Sequence, residues 1–340
     1  MRRRLLNIML SLAVVSVLLP GICSAGPTTL KLATVESTNL ADSPALAAAT
    51  VFKSIVEGKT GGNVVVNLFP GQQLGNEREL IEGLRLGTVE MAITSDGPVG
   101  GFFEPILVLG IPYAFPNTVV AWKVLDGPFG KALMEEMRKK TGIRCLAITE
   151  NGFRHFTDNR KMIKTPADME GLKIRTMENP THMAIVRALG ANPTPISFGE
   201  LYSALQQGIV DGQENPIAVL YMIKGYEVQK YLTLDGHVYN PSFIWINDKV
   251  FEKMDAPTRA IIQQAAVVAS FVKRAGVAVA EATKLGEMSQ KGLKVYQPTA
   301  EELNQFKAKS QGPVIAELKK TIGPQWIDQM FAAIKAAEQE

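Results

Sequence analysis

Short apolar runs alternate with longer amphipathic segments in the hundred or so residues that follow position 25. The runs have the length of buried strands, and the segments between them repeat their apolar residues every three or four positions, as helices do. Ser43 and Pro44 form a favourable helix start, and Asn76 can cap the next helix. Strands connected through helices in this order predict a parallel, doubly wound sheet. The predicted strands are 29–35, 64–70 and 89–95, and the predicted helices are 43–61 and 76–87.

A second α/β series follows the predicted helix at 128–141 and carries apolar runs of its own. Two such series, each with enough apolar residues for a core, predict two lobes. Because ligands bind beyond the carboxyl ends of strands in such sheets, the residues just after each strand are the candidate site. The predicted strands are 143–149, extended through 152–158, and 171–177, with a strand or turn at 208–212, and the predicted helices are 182–189, 197–208 and 216–228.

The last third of the chain has a helical pattern. Between Pro257 and about Gly292 only two glycines interrupt the helix-forming residues. At 1.5 Å per residue this segment predicts a helix of roughly 50 Å, which is long enough to span both lobes. Two further helices are predicted at 300–322 and 324–337.

The first 25 residues have the pattern of a secretory signal peptide. Three arginines precede an apolar stretch at 5–19, a Pro-Gly pair interrupts it, and small residues follow at 23–25. We predict that this segment is cleaved and that the protein is exported, to the periplasm if the source is a Gram-negative bacterium. No later segment is apolar over the length that a bilayer requires.

The charge balance argues against a polyanionic partner. The full chain has 36 basic and 33 acidic side chains, and three of the basic ones belong to the signal segment, which leaves 33 of each. A balanced chain without basic clusters predicts no binding to nucleic acid or to an anionic membrane. Any small anion must then be held by individually placed arginines. Cys145 is the only cysteine beyond the signal segment, so no intrachain disulfide is possible and a core thiol is predicted.

Common enzyme motifs are absent from the sequence. The chain contains no His-Glu-x-x-His, Cys-x-x-Cys or Gly-x-Ser-x-Gly motif, and GPFGKA at 127–132 lacks the Ser or Thr of a phosphate loop. It has three histidines, His155, His182 and His237, which we expect to be exposed or hydrogen-bonded, with His182 solvated near a helix start. The sequence therefore predicts neither an enzyme nor a bound metal or cofactor.

The tripeptide Glu-Asn-Pro occurs twice, each time after an apolar run. Asn is a favoured N-cap and Pro a favoured first helical residue, so helix starts at Asn179 and Asn215 explain both copies. This explanation does not account for Arg175, which lies at the end of the strand before the first copy. A guanidinium beside a helix N-terminus favours a carboxylate ligand. Arg154 is predicted to lie at a similar junction.

Several segments, in this order, resemble one family over essentially the whole mature chain. The family is the DctP-type substrate-binding subunits of tripartite ATP-independent periplasmic (TRAP) transporters. The resemblance implies an α/β, two-lobed periplasmic-binding-protein fold, with a ligand cleft between the lobes and a long helix spanning both. It also implies delivery of an organic acid to membrane permease subunits driven by an ion gradient. The segments are FPGQQLGNERELIEGLRLGTVEMAI (69–93), NGFRHFTDNR (151–160), PADMEGLKIRTMENP (166–180), LGANPTPISFGELYSALQQGIVDGQENP (189–216) and YEVQKYLTL (226–234).

The resemblance assigns ligand-binding roles residue by residue. It implies that Arg175 binds the ligand carboxylate, with Arg154 as a second arginine near the ligand and Asn215 as a contacting amide. Phe198 matches a ring that lines the pocket, and Glu77 and Ser95 match more variable positions of the first lobe. The expected lobes are 26–150 with about 240–280, and 151–239 with about 281–340.

The sequence does not identify the substrate. If Arg154 is free for a second carboxylate, a C4-dicarboxylate is favoured. A pocket lined by Glu77, Gln72 and Ser95 instead favours a sugar acid or a small hydroxy- or keto-acid. Two other functions also remain: an exported sensory binding protein, or an isomerase or lyase that uses Arg175 with Glu77 or Asp96.

Overall fold

The structure, a computed structural model, describes residues 26–339, so the predicted signal peptide lies outside the described residues. The strands of the described chain form one sheet. They are β1 (Thr28–Thr34), β2 (Val64–Phe69), β3 (Met91–Ser95), β4 (Ile143–Asp158), β5 (Lys173–Thr176), β6 (Asn192–Pro195), β7 (Gly212–Asn215), β8 (Tyr231–Asn247) and β9 (Lys294–Tyr296). Their order is β2-β1-β3-β8-β4-β7-β5-β6, and β9 pairs with β8.

Helices cover the sheet and form the C-terminal part of the chain. Short 3₁₀ helices lie at Gly97–Gly101, Glu104–Gly110, Pro166–Met169, Phe198–Glu200 and Gly225–Glu227. The α-helices are α1 (Pro44–Lys59), α2 (Glu77–Leu86), α3 (Thr118–Asp126), α4 (Pro128–Thr141), α5 (Pro180–Ala188), α6 (Leu201–Gln206), α7 (Ile217–Met222), α8 (Asp248–Glu252), α9 (Ala256–Gln290), α10 (Ala300–Ile322) and α11 (Gln325–Glu338).

The N-terminal α/β unit confirms the sequence prediction. Strand β1 pairs in parallel with both β2 and β3. The Ser43 side chain accepts a hydrogen bond from the Leu46 amide at 3.0 Å, so it caps α1. Asn76 and Glu79 form a reciprocal capping box at the start of α2. Local sequence thus determines where both helices begin.

Two long strands, β4 and β8, connect the two halves of the sheet. They pair antiparallel over nearly their whole length, and the register shifts at three places, of which the middle one lies between Glu150 and Gly152. The second half of β8 pairs with β3, and the second half of β4 pairs with β7. The sequence predicted β4 in two pieces and did not predict β8.

The predicted 50 Å helix is present as α9. Its 35 residues correspond to about 52 Å at 1.5 Å per residue. Near its start, Ile262 and Ala265 pack in a core with Leu30 and Phe52. Near its end, Met288 packs in a separate core that includes residues of α7 and β8. Helix α9 therefore contributes to two separate cores, one beside β1 and the other beside α7 and the start of β8.

Some helix predictions were wrong in extent. The predicted helix at 197–208 divides into a 3₁₀ turn and α6, and the one at 216–228 is limited to α7 and a following 3₁₀ turn. The sequence did not predict α3. Across residues 26–339, no helix combines the length and apolar character needed to cross a membrane.

Candidate functional site

A cavity lies at the carboxyl ends of β1, β3 and β5, where the α/β pattern predicted a ligand site. It is lined from both halves of the sheet, and β4, β7, β8 and α9 also contribute side chains. The structure brings all six residues predicted from the sequence to this one cavity; their contact with a ligand stays a prediction. They are Arg175, Arg154, Asn215, Phe198, Glu77 and Ser95.

Arg175 has an unpaired guanidinium nitrogen in the cavity wall. The residue lies near the end of β5, as predicted, and it is only 2 % exposed. Its Nε donates to the Ile196 carbonyl oxygen at 2.9 Å. Within residues 26–339 its buried Nη1 has no hydrogen-bond partner. Burial lowers the pKa of Arg175 to about 10, although Glu214 opposes the shift. A buried cation with an unused donor is suited to an incoming carboxylate.

Arg154 is already paired, so it is not free for a second carboxylate. Both its Nε and Nη2 donate to the Glu214 carboxylate, and Nη1 donates to Asn240 Oδ1 at 2.7 Å. The residue lies within β4 and not at a strand-to-helix junction, which corrects the sequence prediction. Arg154 and Glu214 are each 1 % exposed. The pair places no net charge at the cavity wall.

Glu77 and Ser95 are joined by two hydrogen bonds within the first α/β unit. Glu77 begins α2, and its Oε1 accepts from the Ser95 amide at 2.7 Å. Its Oε2 accepts from the Ser95 hydroxyl at 2.9 Å. Burial raises the pKa of Glu77, and the hydrogen bonds from Ser95 oppose this shift. The pair adds carboxylate and hydroxyl oxygens to the cavity lining.

The two Glu-Asn-Pro junctions differ in the structure. Asn179 caps α5, since its Oδ1 accepts from the amides of Thr181 and His182. Asn215 is the last residue of β7, and its side chain donates to Gln213 at 2.5 Å, so the predicted cap is wrong there. Its amide side chain instead lines the cavity beside Phe198.

Lys273 and Glu36 lie side by side in the cavity wall. Glu36 directly follows β1, where the sequence predicted a ligand site, whereas Lys273 was not predicted. Lys273 extends from the middle of α9 and is 1 % exposed. Its Nζ lies 3.2 Å from Glu36 Oε1 and donates to Ser242 Oγ at 3.0 Å. The available signal was a single Lys-Arg pair in an otherwise uncharged helical stretch from 260 to 280.

A cluster of buried charges lies behind the cavity. His237 Nε2 and His182 Nδ1 lie 3.4 Å and 3.5 Å from the Glu214 carboxylate. Burial would raise the pKa of Glu214, but Arg154 and His182 outweigh it and hold the pKa well below its ordinary value. His182 is 1 % exposed, so the prediction of a solvated ring was wrong. Burial raises the pKa of Asp96, which accepts from Asn240, to about 6.

Comparison with known proteins is consistent with this geometry. A crystal structure of a TRAP periplasmic solute-binding protein from Bordetella bronchispeptica, with density interpreted as pantoate, is 37 % identical with a TM-score of 0.84; the match covers 89 % of this chain and 98 % of that one. A second, from Polaromonas sp. JS666 and bound to D-erythronate, is 37 % identical with a TM-score of 0.83, over 90 % and 98 % of the chains.

A curated relative and a family match point in the same direction. The C4-dicarboxylate-binding periplasmic protein DctP of Rhodobacter capsulatus is 32 % identical over 99 % of both chains. The family described as bacterial extracellular solute-binding protein, family 7 (DctP), matches residues 35–321. This chain therefore belongs to the DctP family of extracellular solute-binding proteins, the substrate-binding subunits of TRAP transporters.

Proposed function

We propose that this solute-binding subunit captures a small hydroxylated monocarboxylate, with Arg175 binding its carboxylate. Members of the family bind small carboxylates and deliver them to a membrane permease, and this protein is a binding subunit and not an enzyme. The observation that carries the proposal is the buried, unpartnered Nη1 of Arg175. An arginine with a free donor in a cavity closed to water binds a carboxylate strongly and in a fixed orientation.

The charge pattern of the cavity favours one carboxylate on the ligand. Arg154 and Lys273 already pair with Glu214 and Glu36. A second ligand carboxylate would therefore meet no unpaired cation among the lining residues of the described chain, and it would lie near the acidic groups of Glu36 and Glu77. Carboxylate oxygens accept hydrogen bonds from hydroxyl groups. The acidic side chains of the lining thus suit a ligand whose other end is neutral and hydroxylated.

Two of the similar structures have ligands of this chemical class. Pantoate and D-erythronate are both hydroxylated monocarboxylates, and the proteins that hold them are 37 % identical to this chain. The second candidate is a C4-dicarboxylate, because the Rhodobacter relative is named for that substrate. The paired state of Arg154 is the reason that we prefer the first.

Contacts across the cavity support a closed ligand-binding state. A Cβ atom at Gly97 would lie 2.7 Å from Met177 Sδ, so this loop after β3 packs directly against the segment after β5. A Cβ at Gly199 would collide with the Gln72 side chain. Glycine at both positions therefore allows the two sides to approach closely. A ligand drives closure only through contacts that it makes better in the closed state.

We also propose where the two lobes divide and how the protein is exported. The expected boundary at 150/151 falls at the middle one of three register shifts between β4 and β8. We propose lobes of 26–150 with about 240–280, and 151–239 with about 281–340. We take residues 1–25 to be a cleaved signal peptide that delivers the protein to the periplasm, in agreement with the periplasmic location of the family.

Calorimetric titration of the mature protein tests the substrate class. We expect saturable, stoichiometric binding of D-erythronate or pantoate, and affinity for succinate at least roughly tenfold weaker. The bound ligand should be recovered chemically unchanged. Tighter binding of succinate would favour the dicarboxylate alternative, and chemical conversion of the ligand would contradict a binding protein.

A further inference from the structure

Lys273 is a buried cation with three polar neighbours. Its Nζ donates to Asn151 Oδ1 at 2.5 Å and to Ser242 Oγ at 3.0 Å, and it forms an ion pair with Glu36 Oε1 at 3.2 Å. An ammonium group has three donors and no acceptor. Two donors are used by Asn151 and Ser242, and the charge is compensated by Glu36. Lys273 can therefore influence a ligand through the groups that it holds.

The three acceptors come from different parts of the sheet. Glu36 follows β1, Asn151 lies in β4 and Ser242 lies in β8, while Lys273 itself is supplied by α9. A buried lysine is costly unless its charge is compensated. The Glu36 carboxylate provides this compensation, with a side chain that is 12 % exposed. The geometry of Glu36 is thus tied to the long helix.

Glu36 has acceptor capacity left on one oxygen. Its Oε2 already accepts from the Ser43 hydroxyl at 2.8 Å and from the Ala45 amide at 2.9 Å. Of Ser43, Ala45 and Lys273, only Lys273 contacts Oε1. A carboxylate oxygen can accept two hydrogen bonds. One lone pair of Oε1 is therefore available to a hydroxyl donor in the cavity that both residues line.

Glu36 and Arg175 line the cavity from different halves of the sheet. Four strands, β3, β8, β4 and β7, separate β1 from β5 in the strand order. A ligand that bridges the two halves with its carboxylate on Arg175 can present its other end to Glu36.

We propose that Lys273 is a specificity-determining positioning residue, which fixes Glu36 as the acceptor for a ligand hydroxyl remote from the carboxylate. Lys273 also neutralises the charge of Glu36. The Glu36 carboxylate can then accept a hydrogen bond from a neutral hydroxyl without presenting an unpaired charge to the ligand. This inference rests on the proposed function. It adds that the distal hydroxyl is bound by the carboxylate of a lysine–glutamate pair contributed by α9 and the segment after β1.

The test compares each hydroxy acid with an analogue that lacks only the distal hydroxyl groups. The probes are D-erythronate with 2-hydroxybutanoate, and pantoate with 2-hydroxy-3,3-dimethylbutanoate. The comparison uses whichever hydroxylated acid binds the wild type, together with its analogue. We expect the wild type to bind the hydroxylated acid roughly 10- to 100-fold more tightly than the analogue. In Lys273→Met this preference should fall to about threefold or less, mainly through loss of affinity for the hydroxylated acid.

Two further variants separate positioning from a purely structural role. Lys284→Met removes a lysine of the same helix that pairs with Glu287 instead, and it should keep the wild-type preference. Glu36→Gln should reduce the preference as Lys273→Met does, and the double variant should reduce it no further, since both act on one interaction. A merely structural pair would lower the unfolding temperature of the ligand-free protein and leave the preference unchanged.

The outcomes distinguish this inference from the proposed function. If the wild type binds neither hydroxy acid, the proposed function is wrong and this inference falls with it. If the wild type binds one of them and Lys273→Met keeps the full preference, only this inference is overturned. Should Lys273→Met fail to fold, Glu36→Gln decides alone: a lost preference supports the inference, and an unchanged preference overturns it.

Discussion

At the scale of single residues, the candidate site is a set of buried charges of which most are already paired. Glu214 pairs with Arg154, and Glu36 pairs with Lys273, whereas Arg175 keeps an unpartnered nitrogen within the described chain. Since each pair cancels its own charge, selectivity for an anion rests on Arg175. The remaining polar atoms of the cavity wall orient the ligand and discriminate among different acids.

His237 should make the stability of the protein depend on pH above neutrality. Burial would lower the pKa of His237, but Asp235 and Glu214 outweigh it and raise the pKa to about 9. A histidine whose pKa is raised on folding contributes stability that is complete below its unfolded pKa, about 6.5, and is lost as the pH rises through 9. We expect the free energy of unfolding to fall by about 2–3 kcal/mol between pH 6.5 and pH 9 from this residue.

Urea denaturation of the wild type and His237→Gln at both pH values measures that contribution. The difference in stability between the two proteins should be largest at pH 6.5 and should shrink toward pH 9. A difference that is the same at both pH values would show that the imidazolium is not the source. Glu281, whose pKa burial raises to about 7, is present in both proteins and so cancels in the comparison.

Some of these residues could be predicted from sequence and others could not. Arg175 was predictable because a strand end before an Asn-Pro helix start places it at a ligand crevice. The pairing of Arg154 was not, because Glu214 appears in the sequence as part of a helix-start tripeptide and its position in β7 depends on long-range pairing. Lys273 lies more than two hundred residues from Glu36, and no local pattern connects them.

At the scale of elements, the register shift after Glu150 in β4 is followed by a glycine with an unusual backbone conformation. Gly152 has a φ of +108°, which L-residues rarely adopt, and it follows the register shift after Glu150. A Cβ there would also collide with Glu281 Oε1 and lie 3.3 Å from Pro216. We expect Gly152→Ala to lower the free energy of unfolding by about 1–3 kcal/mol.

Gly58→Ala is the matched control for that substitution. Gly58 lies within α1, and no atom lies within 4 Å of the position that a Cβ would occupy there. Alanine at this position should therefore leave stability unchanged or raise it by about 0.5–1 kcal/mol. Chemical denaturation of the two variants beside the wild type gives both values. Equal effects of the two substitutions would argue against a special conformation at Gly152.

The elements found from sequence are those with uniform patterns. The first three strands and their helices have short apolar runs and recognisable caps, and α9 has an uninterrupted helical composition. Strand β8 carries Asp235, His237, Asn240 and Ser242 at buried positions, so its pattern is neither apolar nor alternating. These side chains are compatible with burial because partners from other strands satisfy them, which a single sequence does not reveal.

At the scale of the whole molecule, one sheet and one helix join the two sides of the cavity. Strands β4 and β8 cross from one half of the sheet to the other, and α9 packs in two separate cores, one near its start and one near its end. Two lobes were predictable from two successive α/β series. The continuity of the sheet was not, because it results from antiparallel pairing of strands about ninety residues apart.

Calorimetric titration of Arg175→Ala measures whether Arg175 binds the ligand carboxylate. The ligand is whichever of D-erythronate and pantoate binds the wild type, and Arg187→Ala, which removes an exposed arginine of α5 paired with Glu317, is the control. We expect Arg175→Ala to lose at least roughly 100-fold in affinity, and Arg175→Lys at least roughly tenfold because it lacks the bidentate geometry.

The ligand-free unfolding temperature of Arg175→Ala should stay close to that of the wild type, since the substitution removes an unpaired buried charge and leaves no carboxylate partner behind. Arg187→Ala should bind as the wild type does. A folded Arg175→Ala protein that binds the acid with the wild-type Kd would contradict the account; a folded protein that no longer binds it, beside an unaffected control, is the result that the account predicts.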